Sequence, residues 1–223
     1  MNKKTMKMIA MGLICAAGIN AAAPAAVNAM DWGGVVGTVL GGAMAYKEVD
    51  AYVHYVNDTE EGRQAYYQEM KDSMGVNYDE YHNAMLDTLM NNLTEGVAAH
   101  DATIQDKPFL YFLNNDKSFN ASCGLGHVMT VNTGLFRISD NIDEVAFVIG
   151  HEMGHGMKNH SLKGTQKKMR TIIGASVAAE AMGGGAAANI AMNALVGQIN
   201  NIQITKKQEW EADNLAFDYC YSA

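Results

Sequence analysis

His151, Glu152 and His155 carry the spacing H-E-x-x-H. A helical turn takes ~3.6 residues, so two histidines four apart share one helix face and can reach a single metal ion. The glutamate after the first histidine points to the same side, where it can accept a proton from a metal-bound water, the arrangement of zinc-dependent proteolysis. A solvated helix face bearing two histidines would show the same spacing, but the flanks argue against it. Asn141 stands three residues before Glu144 in a capping-box pattern, and Asp143 and Glu144 suit the positive end of a helix dipole. Val145, Ala146, Val148 and Ile149 then lead into His151 almost without polar interruption, which predicts a core helix over about 141–160.

A catalytic zinc usually takes three protein ligands and keeps one position open for water. The extended motif with a third histidine would need glycine at 158 and histidine at 161, where this chain has Lys158 and Ser161. A carboxylate from a later helix is the alternative. Glu180 stands in an alanine-rich stretch with no second acid nearby. Glu209-Trp210-Glu211-Ala212-Asp213 is the better candidate, because Glu209 and Asp213 lie four apart on one face. One of the two can bind the metal while the other orients a ligand.

The elements that must position these residues can be read along the chain. Lys3, Lys4 and Lys7, an apolar stretch from Met8 to about Ile19, and small residues ending Val27-Asn28-Ala29 read as a signal peptide over 1–29. A bulky Ile14 before Cys15 argues against a lipoprotein. Removing 1–29 takes away three lysines and no acids, so a net charge of −8 becomes −11. An acidic chain without a basic run gives no reason to expect nucleic acid or anionic lipid as a partner, and no stable membrane span is expected in the mature part. Residues 30–58 read as a glycine-rich leader and 59–223 as one domain of ordinary size. Helices are predicted over Thr59–Met70 and over Tyr78–Leu93, the latter with an apolar stripe of Met85, Leu86, Leu89, Met90 and Leu93. Phe109–Leu113 and His127–Val131 read as strands, Thr171–Ile204 as two packed helices, and a last helix begins near Thr205. Cys123 and Cys220 could pair in an oxidising compartment, or equally be two small buried side chains.

The combination H-E-M-G-H, His160 five residues further on, and E-W-E-A-D about fifty residues later resembles peptidase family M48. Phe119-Asn120-Ala121, Val128-Met129-Thr130-Val131 and Thr133-Gly134-Leu135 match the stretch upstream, so the likeness covers roughly 80–220. The pair Lys206-Lys207 departs from the family pattern. The family's members continue past the point corresponding to Tyr221-Ser222-Ala223, so by the resemblance the sequence is expected to be either a fragment or a minimal domain. It implies an α+β, mostly helical, zincin-like metallopeptidase domain with a small sheet whose edge strand borders the metal cleft. Carried over residue by residue, it implies that His151, His155 and Glu209 hold one Zn2+, that Glu152 is the general base, and that Asp213 supports a ligand from behind. It also implies that His127, Val128, Met129, Thr130 and Val131 form the edge strand along which a protein or peptide substrate lies. A disulfide between Cys123 and Cys220 would then tie that strand to the helix bearing Glu209. The implied protein is an exported zinc metalloendopeptidase of the periplasm or cell envelope, or a secreted one, of the gluzincin class, cleaving misfolded or unassembled proteins. The reading from another class is a metal-stabilised, chaperone-like binding module with little proteolysis. The sequence leaves the oligomeric state open.

Overall fold

The computed structural model describes residues 43–167, 170–171 and 204–223, with side chains from residue 50. The expected signal peptide, the first part of the leader, Glu180 and nearly all of the expected helix pair at 171–204 lie outside the described residues.

Three short strands form the sheet, β1 (Leu110–Asn114), β2 (Ala121–Cys123) and β3 (Val128–Asn132), in the order β1-β3-β2. β1 runs parallel to β3, with Leu110 opposite Val128, and β2 runs antiparallel to it, with Ser122 opposite Thr130. The expected edge strand at 127–131 is therefore corrected on two points. It begins one residue later, and it is the central strand, hydrogen-bonded on both sides. The reason is its apolar character on both faces: Met129 and Val131 join one core cluster, and Val128 joins the other. His127 lies outside the strand, in a single 3-10 turn (Leu125–His127) with a left-handed φ of 58° following Gly126 at 65°. The edge facing the H-E-x-x-H helix belongs to β2, a three-residue strand too short to leave a periodic signal.

Helices cover both faces of this sheet. On one side α1 (Ala43–Asp58) and α2 (Glu60–Met74) contribute Tyr52, Val53, Val56, Tyr66 and Met70, which pack with Phe112, Leu125 and Val128. The leader expected to run to 58 is thus corrected, because residues 43–58 form a helix whose apolar face belongs to the core. Two polar groups fasten this layer to the turn before β3: Asn57 Oδ1 accepts from Gly126 N at 3.0 Å, and the buried Arg63 Nε donates to Gly126 O at 2.7 Å.

On the other face lie α3 (Glu80–His100), α5 (Ile142–Met157) and α6 (Lys206–Ser222), with the short α4 (Thr133–Ile138) between β3 and α5. α3 buries Leu86, Met90, Leu93 and Val97, and α5 buries Val145, Ile149 and Met153, each set recurring at three or four residues. Asn141 caps α5 by accepting from Glu144 N, and the Glu144 carboxylate reaches back to Asp140 N rather than to Asn141. Thr205 caps α6 in a full capping box with Gln208. A further helical stretch covers residues 160–167. Among the described residues no helix is long and apolar enough to cross a membrane.

α5 and α6 pack unusually closely. Gly150 and Gly154 of α5 face Ala216 and Ala212 of α6, and a Cβ on Gly154 would sit 3.2 Å from Ala212 Cα. α6 also crosses α3 at Gly96, where a Cβ would lie 2.2 Å from Tyr219 O. The two cysteines lie along α5 in different places, the Cys220 sulfur against Gly150 and the Cys123 sulfur against Gly156. Six residues separate those glycines, ~9 Å along a helix. The expected disulfide is corrected accordingly, as both thiols are free, their sulfurs resting against different turns of α5.

These contacts predict opposite outcomes for two similar substitutions. Gly96→Ala should cost about 1–3 kcal/mol, because backbone cannot move aside. Gly150→Ala, whose Cβ would make contacts of 3.4 Å or more, should hold stability or raise it by up to about 1 kcal/mol through helix propensity. Denaturant unfolding of the two variants side by side checks this, and equal losses would contradict the packing described.

Candidate metal centre

The close approach of α5 and α6 sets two histidines opposite an acidic turn. His151 Nε2 and His155 Nε2 lie 2.9 Å apart, and Glu209 Oε2 is 3.4 Å from the first and 3.8 Å from the second. The three ligand atoms fall within 4.8 Å of one another. Their separations bracket the ~3.4 Å edge of a tetrahedron with metal bonds of 2.0–2.2 Å. Glu209 sits in the first turn of α6, where the Thr205–Gln208 box fixes the backbone and the helix dipole favours a carboxylate.

The chemistry of the donor set also fits a cation. Asp213 Oδ1 lies 2.8 Å from His151 Nδ1, so the neutral imidazole carries its proton on Nδ1 and leaves a lone pair on Nε2. That lone pair faces the Glu209 carboxylate, an arrangement of acceptors that a divalent cation satisfies. His155 is pushed down to about 3 by burial, with the neighbouring His151 and His160 adding to the effect. It therefore stays neutral near pH 7, as a metal ligand must.

Glu152 lies on the sheet side of α5, where its Oε2 accepts from Cys123 N at 2.9 Å. Burial pushes its carboxyl up to about 8; the Cys123 bond pulls the other way, and the Glu209 charge raises it further. A bound cation would oppose the shift. Gly124 N donates to Val128 O and Asn120 O accepts from Asn132 N. Alternation then aims the backbone groups of Ala121 and Cys123 away from β3, toward the cleft. Cys123 spends its outward groups internally, its N–H on Glu152 and its carbonyl on Ser161 Oγ at 2.6 Å. Burial holds the Cys123 thiol protonated.

The structure thus brings together His151, Glu152, His155, Glu209 and Asp213. It does not bring the expected substrate strand to the cleft, since Val128, Met129, Thr130 and Val131 are interior and His127 is buried elsewhere. His127 Nδ1 contacts Lys107 O at 2.8 Å, and its ring stacks on Phe109 at 4.6 Å. Sequence reasoning gave no role to His160 and Glu211, which lie at the same site. His82 contacts Asp79, and His100 contacts Ser222.

A helix bearing H-E-x-x-H, joined by an acid-bearing helix and flanked by a small sheet, is the make-up of a metallopeptidase domain. The model of peptidase family M48 matches residues 82–223, and the chain belongs to that family. Metalloprotease LoiP of Escherichia coli (strain K12) is 35% identical over 118 residues, covering 52% of this chain and 46% of the relative. The beta-barrel assembly-enhancing protease of Yersinia pestis is 29% identical over 105 residues, covering 47% of this chain and 21% of the relative. A putative protein of the same name from Vibrio cholerae serotype O1 (strain ATCC 39315 / El Tor Inaba N16961) is 29% identical over 161 residues, covering 67% and 31%. The chain spans less than half the length of each of these relatives.

Two buried imidazoles predict how stability depends on pH without metal. His127 is pushed down to about 4, mainly by burial and then by the charge of Lys107, and His155 to about 3. Below pH ~6.5 the unfolded chain takes up protons that the folded chain refuses, so the stability present above ~6.5 falls as pH drops toward 4. His127→Gln should remove part of that slope, up to about 3 kcal/mol. Urea unfolding of the metal-free protein at pH 7 and pH 4.5 checks this; an unchanged slope in the variant would contradict it.

Proposed function

We propose that this chain is a zinc metalloendopeptidase of the cell envelope that cleaves unassembled or misfolded proteins. One observation carries the reading: the lone pairs of His151 and His155 and the carboxylate of Glu209 converge beside Glu152, which itself touches the edge strand β2. His151, His155 and Glu209 would hold one Zn2+, and Asp213 would fix the His151 ring by accepting from Nδ1. Bound there, zinc supplies Lewis acidity, lowering the pKa of a water and polarising the scissile carbonyl. Glu152 takes the water's proton at its carboxylate and delivers it to the departing amine. A substrate segment would lie along β2 and pair with the outward amide and carbonyl of Ala121; such pairing uses main-chain groups and tolerates many sequences. Export is supported by the basic, apolar and small-residue pattern of 1–29. The relatives from Yersinia pestis and Vibrio cholerae carry a name that refers to β-barrel assembly, which is compatible with that reading.

Two outcomes follow. Zinc at 100 times its Kd should stabilise the protein by about 2.7 kcal/mol, a gain that a chelator reverses and Glu209→Ala lacks; thermal unfolding with and without zinc measures it. Glu152→Gln should cut cleavage of casein by about 10²–10⁴-fold while leaving zinc content and the thermal midpoint in place. Wild-type turnover in that variant would refute the role of Glu152. Zinc binding by the wild-type chain without any cleavage would favour the binding-module reading instead.

A further inference from the structure

The chain beyond α5 turns back on the site. A residue five positions after His155 would point ~140° away from it on a continuous helix. The helix is broken, however, at Lys158–Asn159, where Asn159 takes a left-handed φ of 52° and donates to Gly156 O. That turn folds His160, only 2% exposed, onto the back of His155. Nδ1 of one ring lies 2.8 Å from Nδ1 of the other, with the rings edge to face, 5.0 Å between centroids and at 67°. On its far side His160 Nε2 faces Glu211 Oε2 at 3.3 Å.

We propose that His160 and Glu211 form a relay that positions His155, as Asp213 alone positions His151. The inference rests on the metal reading above. If His155 gives its Nε2 lone pair to a metal, its single ring proton sits on Nδ1 and must be donated to His160 Nδ1. His160 then accepts at Nδ1, carries its own proton on Nε2 and donates it to the Glu211 carboxylate. Every bond in the chain has one donor and one acceptor, and its direction is set at the metal end. The chain terminates on a carboxylate, as the shorter His151–Asp213 pair does. Without an acceptor at His160, the buried Nδ1–H of His155 would lose its partner, and nothing would hold the ring in the ligating tautomer. His160 and Glu211 are positioning residues and touch no substrate.

The test is zinc affinity of the purified full chain, measured by competition with a chromophoric chelator and accompanied by the unfolding midpoint of the metal-free protein. His160→Leu should weaken zinc about 10–100-fold. His160→Asn, whose amide oxygen stands about where Nδ1 of the ring does and can accept from His155 Nδ1, should restore affinity to within a few-fold of wild type. Glu211→Ala, at a half-buried position on α6, should weaken zinc in the same direction and keeps the test open should His160→Leu misfold. Nitrogen-15 spectra of the zinc-loaded protein should show His160 protonated on Nε2 and bare on Nδ1. Equal losses in His160→Leu and His160→Asn, no loss in His160→Leu or Glu211→Ala, or a His160 proton on Nδ1 would each overturn the relay. A zinc-dependent, active wild type with an unaffected His160→Leu variant sinks the relay alone. A wild type that takes up no zinc removes the metal reading and the relay with it.

Discussion

The separation between α5 and α6 is the constraint on which the rest of the structure depends. Imidazole and carboxylate side chains are short, so ligands from two helices converge on one ion only if the backbones nearly touch. Gly154 against Ala212, where a Cβ would stand 3.2 Å from backbone, provides that approach. Each glycine inside α5 weakens the helix by about 1 kcal/mol relative to alanine. α5 is therefore a helix sustained by tertiary burial of Val145, Ile149 and Met153 rather than by its own propensity. The same spacing that admits α6 places His151 and His155 one residue after Gly150 and Gly154, so packing and ligation share a single i, i+4 rhythm.

The acidic start of α6 divides its labour by helix geometry. Glu209 and Asp213 share a face, one opposite the two imidazole Nε2 atoms and the other behind His151. Glu211 lies on another side of α6 and meets His160, which arrives from beyond the end of α5. Three acids within one stretch of five residues thus reach three different imidazoles. On the sheet side of α5, Glu152 is held by a main-chain amide of β2, so the strand that borders the cleft also aims the carboxylate within it.

What was legible in the sequence was local. The spacing of His151 and His155, the capping residues Asn141 and Thr205, and the apolar stripe of α3 each act within one or two turns, and the helices stand where those signals put them. The α+β architecture and its small sheet were legible too, through the resemblance that those motifs carry. What was misread depends on partners distant in sequence. Val128-Met129-Thr130-Val131 is apolar on both faces, a pattern that belongs to a central strand, and β2 is too short to announce itself as the edge. Val53 and Val56 gave no periodic signal beside the glycines before them, so α1 was assigned to the leader. The position of Cys123 and Cys220 along α5 follows from helix packing alone. His160 was visible as a residue, but only the left-handed turn at Asn159 shows where its ring goes.

His155 and Glu209 lie more than fifty residues apart in the chain, and α5 and α6 meet through packing rather than through a tight connection. The entropy of closing such a loop grows only with the logarithm of its length, about 0.6 kcal/mol for each doubling. The stretch between the two helices can therefore lengthen or shorten over evolutionary time at little thermodynamic penalty. The ligand geometry is insulated from that variation. Beyond His160 and Ser161, which belong to the site, the sequence between these helices is free to change in length without re-engineering the centre that it connects.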